Sequence, residues 1–286
     1  MEHSKLRVAF KPMNFIKKPF ALILLTIIGC TQRSFTQEQA FPYKLKLSTE
    51  IPILASVLGV SLINTYGLEE PMPLTDAQLS LFNPTQINRF DRFAITKASY
   101  SAEKASDVFR DVLFIAPAAL GLKPLINKEW QQVVTLSAIY IETIYVNRTL
   151  TTLTKNTFQR KRPYLYNQSL SSDEKKELFD KGSPQKSFVS GHTSMAFCSA
   201  VFLSTVYTNL YGKSGYSTLI WVSSLSAATL VGYLRIEAGM HFPSDVLAGA
   251  VLGSLVGYTI PRIHRINNNK VSLTLTGNFA QLTLRF

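Results

Sequence analysis

The sequence predicts an all-α protein, a helical bundle of about six core helices that ends in a short β-hairpin. Apolar runs of helical length recur along the 286 residues. Prolines, glycines and charged residues separate these runs, as expected at helix boundaries. Near the C-terminus the pattern changes to an alternation with period two, which indicates strands.

The helices are predicted from the apolar periodicity in chain order. A first helix covers residues 45 to about 66. Pro71, Pro73 and Pro84 then predict a loop or short turns over residues 67–92. A mixed helix at 93–107 precedes apolar helices near residues 108–122, 131–152, 193–211, 217–235 and 244–262.

The C-terminal residues predict a β-hairpin. Residues 271–276 alternate, Gly277 and Asn278 supply a tight turn, and residues 282–286 alternate again. Two strands are too few to close a barrel, so we expect the hairpin to dock on the bundle or on a membrane surface.

The apolar runs leave two interpretations of the bundle open. Most run for roughly 15 to 18 residues, short of the approximately 20 that a perpendicular membrane span needs. Glu142 and Arg148 interrupt the run at 131–152, and the mean hydropathy is only +0.11. A polytopic membrane bundle and a compact, mostly buried bundle both fit this pattern.

The formal net charge of +12 favours anionic partners, such as a phosphorylated substrate or an anionic bilayer surface. Ordinary positive-inside bias beside apolar helices explains the same excess. Nucleic acid is not expected as a partner, because the basic residues form no long run interleaved with aromatics. Cys30 and Cys198 are too few for a disulfide framework.

The N-terminus predicts export from the cytoplasm. A basic segment at residues 5–18 precedes an apolar segment at 19–29 that is too short to span a bilayer comfortably, and Cys30 follows. One interpretation is a bacterial lipoprotein signal with Cys30 as the lipidated residue. A plain secretory signal and a short uncleaved anchor are the alternatives. In each case we expect a membrane-associated protein of a bacterial cell envelope.

Four regions follow from these patterns: an export signal or anchor at 1–30, an N-terminal helical region and loop at 31–107, a catalytic region at 108–266 and the hairpin at 267–286. If Cys30 is a mature periplasmic terminus and every apolar run spans, the residues after the third run face the cytoplasm. Either one run does not span or the first segment is an uncleaved anchor. We favour a site that faces the periplasm.

The first chemistry-bearing segment follows the helix at 131–152. Lys155, Arg160, Lys161 and Arg162 cluster there, and Pro163 is expected to end the helix. Lys155 and Arg162 are two helical turns apart, so they share one predicted face and are suited to clamp phosphate oxygens. Taken alone, the cluster also fits a solvated edge or a lipid-headgroup contact.

The second segment is Ser190-Gly191-His192, directly before an apolar helix. Ser190 is suited to be the N-cap, and Gly191 allows close backbone approach. The first-turn amides and the positive end of the helix dipole then form an anion site beside His192. A cap with a histidine that bonds a carbonyl explains this segment equally well.

The third segment contains Arg235, His241 and Asp245. Pro243 fits the first turn of the last helix. Asp245 is then placed to accept a hydrogen bond from one imidazole nitrogen of His241, leaving the other free as a nucleophile. A helix cap with a surface histidine is the alternative.

Together the three segments resemble the signature of the type 2 phosphatidic-acid phosphatase and vanadium haloperoxidase superfamily. The matching pattern is Lys155-x6-Arg162-Pro163, Ser190-Gly191-His192 and Arg235-x5-His241-x3-Asp245, within residues 108–262. The resemblance implies a helical bundle with the site at one end of its core helices. It also implies no metal and no cofactor, and the sequence shows no convincing carboxylate cluster for a metal.

By position, the resemblance gives His241 the role of the nucleophile that accepts the phosphoryl group. Asp245 orients His241, and His192 protonates the leaving group and later activates water. The residues implied to bind the phosphate are Lys155, Arg162, Arg235, Ser190 and Gly191. Two positions depart from the pattern: Val189 stands where the family usually has proline, and Leu234 where it usually has serine.

The expected activity is hydrolysis of a phosphate monoester or pyrophosphate on a membrane lipid. A soluble or lipid-anchored periplasmic acid phosphatase of broad specificity is one alternative. A vanadium haloperoxidase and a non-enzymatic envelope scaffold are two others. The sequence does not predict the natural substrate, the number of spans or the oligomeric state.

Overall fold

The computed structural model describes residues 41–69, 71–79, 81–179, 183–266, 271–276 and 279–284. The all-α class is confirmed for this part of the chain. Its helices are α1 Leu47–Leu62, α2 Asp76–Leu79, α3 Tyr100–Ile115, α4 Leu122–Ile126, α5 Trp130–Phe158, α6 Ser172–Glu177, α7 Gly191–Tyr211, α8 Gly215–Glu237 and α9 Pro243–His264. A π-helical turn, Ile63–Gly67, extends α1, and 3-10 helices cover Pro84–Gln86, Arg92–Thr96, Ala116–Gly121 and Pro163–Tyr166.

The region at 93–122 differs from its prediction. The expected boundary between residues 107 and 108 lies inside α3, which is continuous. Ser99 begins this helix, since its side chain accepts a hydrogen bond from the Ala102 amide at 3.2 Å. The sequence becomes more apolar near residue 108, but a change in composition on a helix does not interrupt its backbone hydrogen bonds.

The end of α5 also differs from its prediction. The helix ends at Phe158, because Gln159 adopts a left-handed conformation with φ of 41° and its amide bonds the Lys155 carbonyl. Pro163 therefore does not end the helix. Arg162 is extended, with ψ of 154°, as expected for a residue before proline. Lys155 and Arg162 do not share a helical face, so any proximity of the two must come from the turn between them.

Helix α7 is the centre of the bundle and packs against α3, α5, α8 and α9. Side chains all around it are buried; Ser194, Ala200 and Val206 have no measurable exposure. A helix buried on every side needs small or apolar residues on every face. The sequence of α7 meets this need with serine, alanine and valine.

A row of glycines brings α9 against the backbone of α7. Gly249, Gly253 and Gly257 recur every four residues and therefore lie on one face of α9. A Cβ on Gly249 would lie 2.6 Å from the Ser190 carbonyl oxygen, and a Cβ on the other two would come still closer to α7 carbonyls. Only glycine permits this approach, which fixes the start of α9 beside the start of α7.

Three helical segments of the described chain are long and apolar enough to cross a membrane: Leu47–Gly67, α8 and α9. Helix α1 buries none of its side chains, and Leu54, Leu58 and Leu62 are exposed. An apolar helix face that no protein segment covers indicates contact with lipid. Of the two interpretations that the sequence leaves open, the structure supports association with a membrane.

The last described residues form two antiparallel strands, β1 Val271–Thr276 and β2 Phe279–Leu284. Val271 pairs with Leu284 and Thr276 with Phe279. The predicted turn residues Gly277 and Asn278 lie outside the described residues, as do the predicted export signal and Cys30.

Candidate active site

The three segments singled out in the sequence lie at one end of the bundle, where α5 and α8 end and α7 and α9 begin. Lys155 is in the last turn of α5, and Arg162 follows that helix in an extended segment. The remaining residues are placed as follows: Ser190 at the N-cap of α7, Gly191 and His192 in its first turn, Arg235 in the last turn of α8, His241 between α8 and α9, and Asp245 in the first turn of α9.

His241 is buried against Arg162. The imidazole is 1% exposed, and its Nε2 lies 3.4 Å from Nη1 of Arg162. The same guanidinium is anchored by donating to the Met240 carbonyl at 2.9 Å and to the Ser183 carbonyl at 2.8 Å. A guanidinium only donates hydrogen bonds, so the nitrogen that faces it is the one with the lone pair. Nε2 is thus the nitrogen able to act as a nucleophile.

The charges around His241 keep its ring neutral. Burial lowers the pKa of His241 well below its ordinary value, and the positive charges of Arg162, Lys155 and Arg235 lower it further. A neutral imidazole is the nucleophilic form. Lys155 and Arg162 belong to the first segment and Arg235 to the third, so two distant segments place positive charge within electrostatic range of one ring.

The predicted hydrogen bond between His241 and Asp245 is not formed. Nδ1 of His241 is 3.8 Å from Oδ2 of Asp245, beyond hydrogen-bond distance. The carboxylate instead accepts from the Ser187 hydroxyl at 2.6 Å, the Phe242 amide at 2.9 Å and Arg160 at 2.5 Å. These donors hold the carboxylate in place, and they leave Nδ1 buried without a hydrogen-bond partner.

Arg160 belongs to the basic cluster after α5, but the sequence does not predict it as a residue of the active site. Besides Asp245, it donates to the Ser244 hydroxyl at 2.7 Å and to Asp91 at 2.8 Å, and its guanidinium stacks 4.3 Å from the centre of the Phe242 ring. Asp91 is 1% exposed and lies in the region predicted as loop and turns. Asp91 is far from both Arg160 and Ser244 in the sequence, so no spacing rule predicts these contacts. Arg160 therefore links two buried carboxylates and fixes the start of α9.

The start of α7 lies against Lys155. A Cβ added to Gly191 would lie 3.6 Å from Nζ of Lys155, and that ammonium donates to the Lys186 carbonyl at 3.3 Å. Ser190 is the N-cap residue, as predicted, but its hydroxyl bonds the Thr193 hydroxyl at 2.8 Å instead of a backbone amide. The first-turn amides of a helix have no partner within the helix, so an anion beside Lys155 meets both charge and N–H donors.

His192 bonds a carboxylate that the sequence did not reveal. Its Nε2 lies 2.7 Å from Oδ1 of Asp107 on α3 and also contacts Nη1 of Arg110. Burial lowers the pKa of His192 to about 3, against the opposing effect of Asp107. Asp107 lies 85 residues before His192. In the sequence, Asp107 is distinguished only as an acidic residue beside an apolar stretch, which does not indicate a contact with His192.

Arg235 has an unused donor. Arg235 is 3% exposed, and its Nη1 donates to the Ser106 hydroxyl at 3.2 Å. Its Nε is buried and has no hydrogen-bond partner. Buried donors in folded proteins are nearly always paired, so an unpaired guanidinium N–H beside other cations indicates the position of an anion.

A cavity of about 450 Å³ opens beside this cluster. Lys155, Gly191 and His192 line it together with Arg110 and Arg148. The arrangement suits an anionic group of phosphate size, with room for the molecule that carries it. Within the described residues, the side chains grouped closely enough to hold a metal ion are not among these but are Glu50, Glu142 and His264.

Comparisons with known proteins agree with the sequence motifs. Residues 136–269 match the model of the PAP2 superfamily. The chain is 34% identical over 77 residues to a lipid A 4'-phosphatase of Porphyromonas gingivalis, a match that covers 27% of this chain and 29% of that protein. It is 38% identical over 76 residues to lipid phosphate phosphatase 1 of Arabidopsis thaliana, covering 25% of this chain and 23% of that protein.

The matched segment therefore spans less than a third of either curated relative. Among solved structures, the chain is similar to a transmembrane PAP2-type phosphatidylglycerolphosphate phosphatase of Bacillus subtilis, with 17% identity, a TM-score of 0.44, and coverage of 76% of this chain and 96% of the other. The family match contains all three motif segments, from Lys155 to Asp245. Residues 136–269 of this chain are therefore similar to the PAP2 superfamily.

Proposed function

We propose that this protein is a membrane-associated phosphatase that hydrolyses a phosphate monoester or pyrophosphate on a lipid through a phosphohistidine at His241. The observation that carries the proposal is the neutral, buried imidazole of His241 within range of three cations, Arg162, Lys155 and Arg235. A phosphoryl group brought there meets a nucleophile and compensating positive charge at the same place.

In the first step, Nε2 of His241 attacks phosphorus and the bond to the leaving oxygen breaks. The ring then carries a positive charge, and Nδ1 keeps its proton. The Asp245 carboxylate, 3.8 Å away, stabilises that charge, and a small movement brings it within hydrogen-bond distance. The bonds from Ser187 and Arg160 hold the Asp245 carboxylate in place.

His192 supplies the proton for the leaving oxygen. With a pKa lowered to about 3 it is neutral in the free protein at neutral pH, so it must gain its proton when the anionic substrate binds. The negative charge of the phosphate and the Asp107 carboxylate both favour that protonation. In the second step neutral His192 takes a proton from water, the water oxygen attacks phosphorus, and phosphate leaves His241.

The non-bridging oxygens are bound by Lys155, Arg162 and Arg235, with the amide of Gly191 at the start of α7. Phosphoryl transfer concentrates negative charge on these oxygens, and preorganised cations in a site of low dielectric lower its energy without a metal. The unpaired Nε of Arg235 gives this assignment direct support, because it is a donor that a bound phosphate would satisfy.

A lipid substrate is supported by two observations. The exposed apolar faces of α1, α8 and α9 support a position at a membrane, and the same bundle contains a cavity lined by Lys155 and His192. The two curated relatives are both named for phosphatases that act on lipids. The predicted export signal supports a site on the periplasmic side of a bacterial membrane.

Phosphate release from purified protein tests the proposal. Phosphatidic acid, a prenyl diphosphate, a phosphorylated lipid A and a water-soluble ester would be compared, each with and without a chelator. We expect release from at least one lipid that persists with the chelator and disappears in His241→Ala. Full activity in that variant contradicts the mechanism. Preference for the soluble ester supports a broad acid phosphatase, and halide oxidation with vanadate and peroxide supports a haloperoxidase.

A further inference from the structure

A second buried histidine lies at the opposite end of α9 from the candidate active site. His264 is fully buried, and two carboxylates approach the same ring nitrogen. Oε1 of Glu50 lies 2.9 Å from Nε2, and Oε2 of Glu142 lies 3.1 Å from it. Glu50 comes from the first turn of α1 and Glu142 from the middle of α5, so three helices contribute one side chain each.

The other ring nitrogen fixes which form of the histidine is present. Nδ1 of His264 lies 2.9 Å from the Ile260 carbonyl oxygen. Because a carbonyl oxygen only accepts hydrogen bonds, Nδ1 must carry a proton. In a neutral ring Nε2 then has no proton and presents its lone pair. That lone pair then faces two carboxylate oxygens, an arrangement that is repulsive unless a cation lies between them. Metal-binding histidines commonly donate their second nitrogen to a carbonyl in this way.

A proton on Nε2 relieves only part of the repulsion, because one N–H points at one acceptor. Glu142 is the group left over. Its side chain is 9% exposed, and both carboxylate oxygens are buried without a hydrogen-bond partner. An ionised carboxylate in that state is costly unless a cation binds it. The Glu142 carboxylate points at Nε2 of His264. The carboxylate that lacks a cation and the nitrogen lone pair therefore face the same position.

From this geometry we infer that Glu50, Glu142 and His264 form a binding site for a divalent transition metal, of which zinc is the best match. The three ligand atoms lie within 4.8 Å of one another. Zinc bonds of about 2.0–2.2 Å to imidazole nitrogen and carboxylate oxygen require ligand atoms about 3.4 Å apart in a tetrahedron. The distances of 2.9 and 3.1 Å need to widen by only a few tenths of an ångström.

The choice of metal follows from the donor set. One imidazole and two carboxylates neutralise a divalent ion and suit zinc and its neighbours in the first transition series. Calcium and magnesium prefer sites built from six or more oxygens, including water. Three protein ligands leave a fourth tetrahedral position for water.

The metal would tie α1 to the bundle. Helix α1 buries no side chain of its own. The chain before it is already paired with the end of α9, since the Lys44 amide donates to the His264 carbonyl at 3.0 Å and the Ile266 amide to the Pro42 carbonyl at 2.7 Å. An ion between Glu50 and His264 adds a side-chain link at the same place and connects both to α5. The site is about 28 Å along α9 from Asp245, so its role is structural.

Zinc binding by the purified, tag-free full chain tests the inference. After removal of metal with a chelator, titration calorimetry should show one zinc bound per chain with micromolar or tighter affinity. Co²⁺ should give the visible absorption of a tetrahedral site. We expect Glu142→Gln to weaken zinc at least 100-fold, and the thermal midpoint to rise with zinc in the wild type but not in this variant.

Matched variants make the result decisive. Glu177→Gln changes an exposed glutamate of α6 and should bind zinc as the wild type does. If Glu142→Gln does not fold, Glu50→Gln, at a side chain that is 22% exposed, gives the same comparison. Equal affinity of wild type and both site variants, or no saturable binding, overturns the inference. His241→Ala should bind zinc normally, so failure here is separable from failure of the phosphatase mechanism.

Discussion

Two buried histidines lie at opposite ends of α9, and their surroundings have opposite charge. His241, just before the helix, is within range of the cations Arg162, Lys155 and Arg235. His264, its last residue, faces the carboxylates Glu50 and Glu142. The two rings are equally buried, so burial does not distinguish their chemistry. The charge of the neighbours does: cations keep one ring neutral and available to attack, and anions direct the lone pair of the other toward a cation.

The unpaired polar atoms at the two ends agree with this difference. At the candidate active site the unpaired groups include Nε of Arg235, a donor, and Nδ1 of His241, which carries a proton when Nε2 has the lone pair. At the other end the unpaired groups are acceptors, both oxygens of Glu142. An unsatisfied donor among cations fits an anion, and unsatisfied acceptors beside a lone pair fit a metal ion. The same type of observation thus indicates ligands of opposite sign.

The largest expected effect separates the two histidines by activity. His241→Ala should lower kcat by at least about 10³-fold, because the nucleophile is lost. His264→Ala should retain kcat within about threefold of wild type when assayed well below its thermal midpoint. Phosphate release from the preferred lipid measures both. Equal loss in the two variants removes the distinction between the ends.

A smaller effect is expected at the carboxylates. Asp245→Asn removes the charge that stabilises the phosphorylated ring, and kcat should fall about 10²-fold with little change in KM. Glu142→Gln is the matched change at the other end and should leave kcat unaltered. Single-turnover measurements with the preferred lipid would show whether the slowed step is phosphorylation of His241. An unchanged kcat in Asp245→Asn removes Asp245 from the mechanism.

The pH dependence of kcat/KM tests whether the neighbouring cations lower the pKa of His241. His241 must be neutral to attack, and the positive charge of Lys155 helps to keep the pKa of His241 low. Lys155→Met removes that charge, so the His241 pKa rises and the acidic limb of log kcat/KM should move to higher pH by about one unit. The overall rate also falls, since Lys155 binds phosphate, but the position of the limb reports the charge effect.

Lys213→Met is the control for this shift, because Lys213 is exposed between α7 and α8. Its profile should superimpose on that of the wild type. An acidic limb that stays in place in Lys155→Met shows that the charge of Lys155 does not reach His241.

The smallest effect is expected at the glycine contact between α7 and α9, which positions both ends of α9 in the bundle. Gly253→Ala adds a Cβ against an α7 carbonyl and should lower the free energy of unfolding by about 1–3 kcal/mol. Gly59→Ala in α1, where nothing lies within 4 Å of the added Cβ, should raise it by up to about 1 kcal/mol through helix propensity. Unfolding of both variants in the same detergent provides the comparison.

Local features were the ones that the sequence predicted. The long apolar helices, Ser190 at the N-cap of α7 and Pro243 in the first turn of α9 follow from periodicity and capping rules that act over a few residues. The family resemblance is confirmed by the match over residues 136–269. The end of α5 was missed, because the left-handed conformation of Gln159 is uncommon for its residue type.

Contacts between distant segments could not be predicted. Asp107 meets His192 across 85 residues, and Glu50 meets His264 across 214. Neither pair has a spacing that a helix or turn would enforce, so only the packing of the bundle brings them together. The sequence shows no carboxylate cluster for the same reason, since Glu50 and Glu142 belong to different helices and only the packing of the bundle groups them with His264.

The glycine row on α9 also determines where a substrate can enter. At Gly249, Gly253 and Gly257 the backbone of α9 lies directly against the backbone of α7. An acyl chain therefore has no space to pass between these two helices. The 450 Å³ cavity is lined instead by residues of α3, α5 and the start of α7, and no residue of α9 lines it. Under the proposed function, a lipid approaches along this cavity, and sequence changes in its lining should alter lipid preference while His241 and His192 keep their separation.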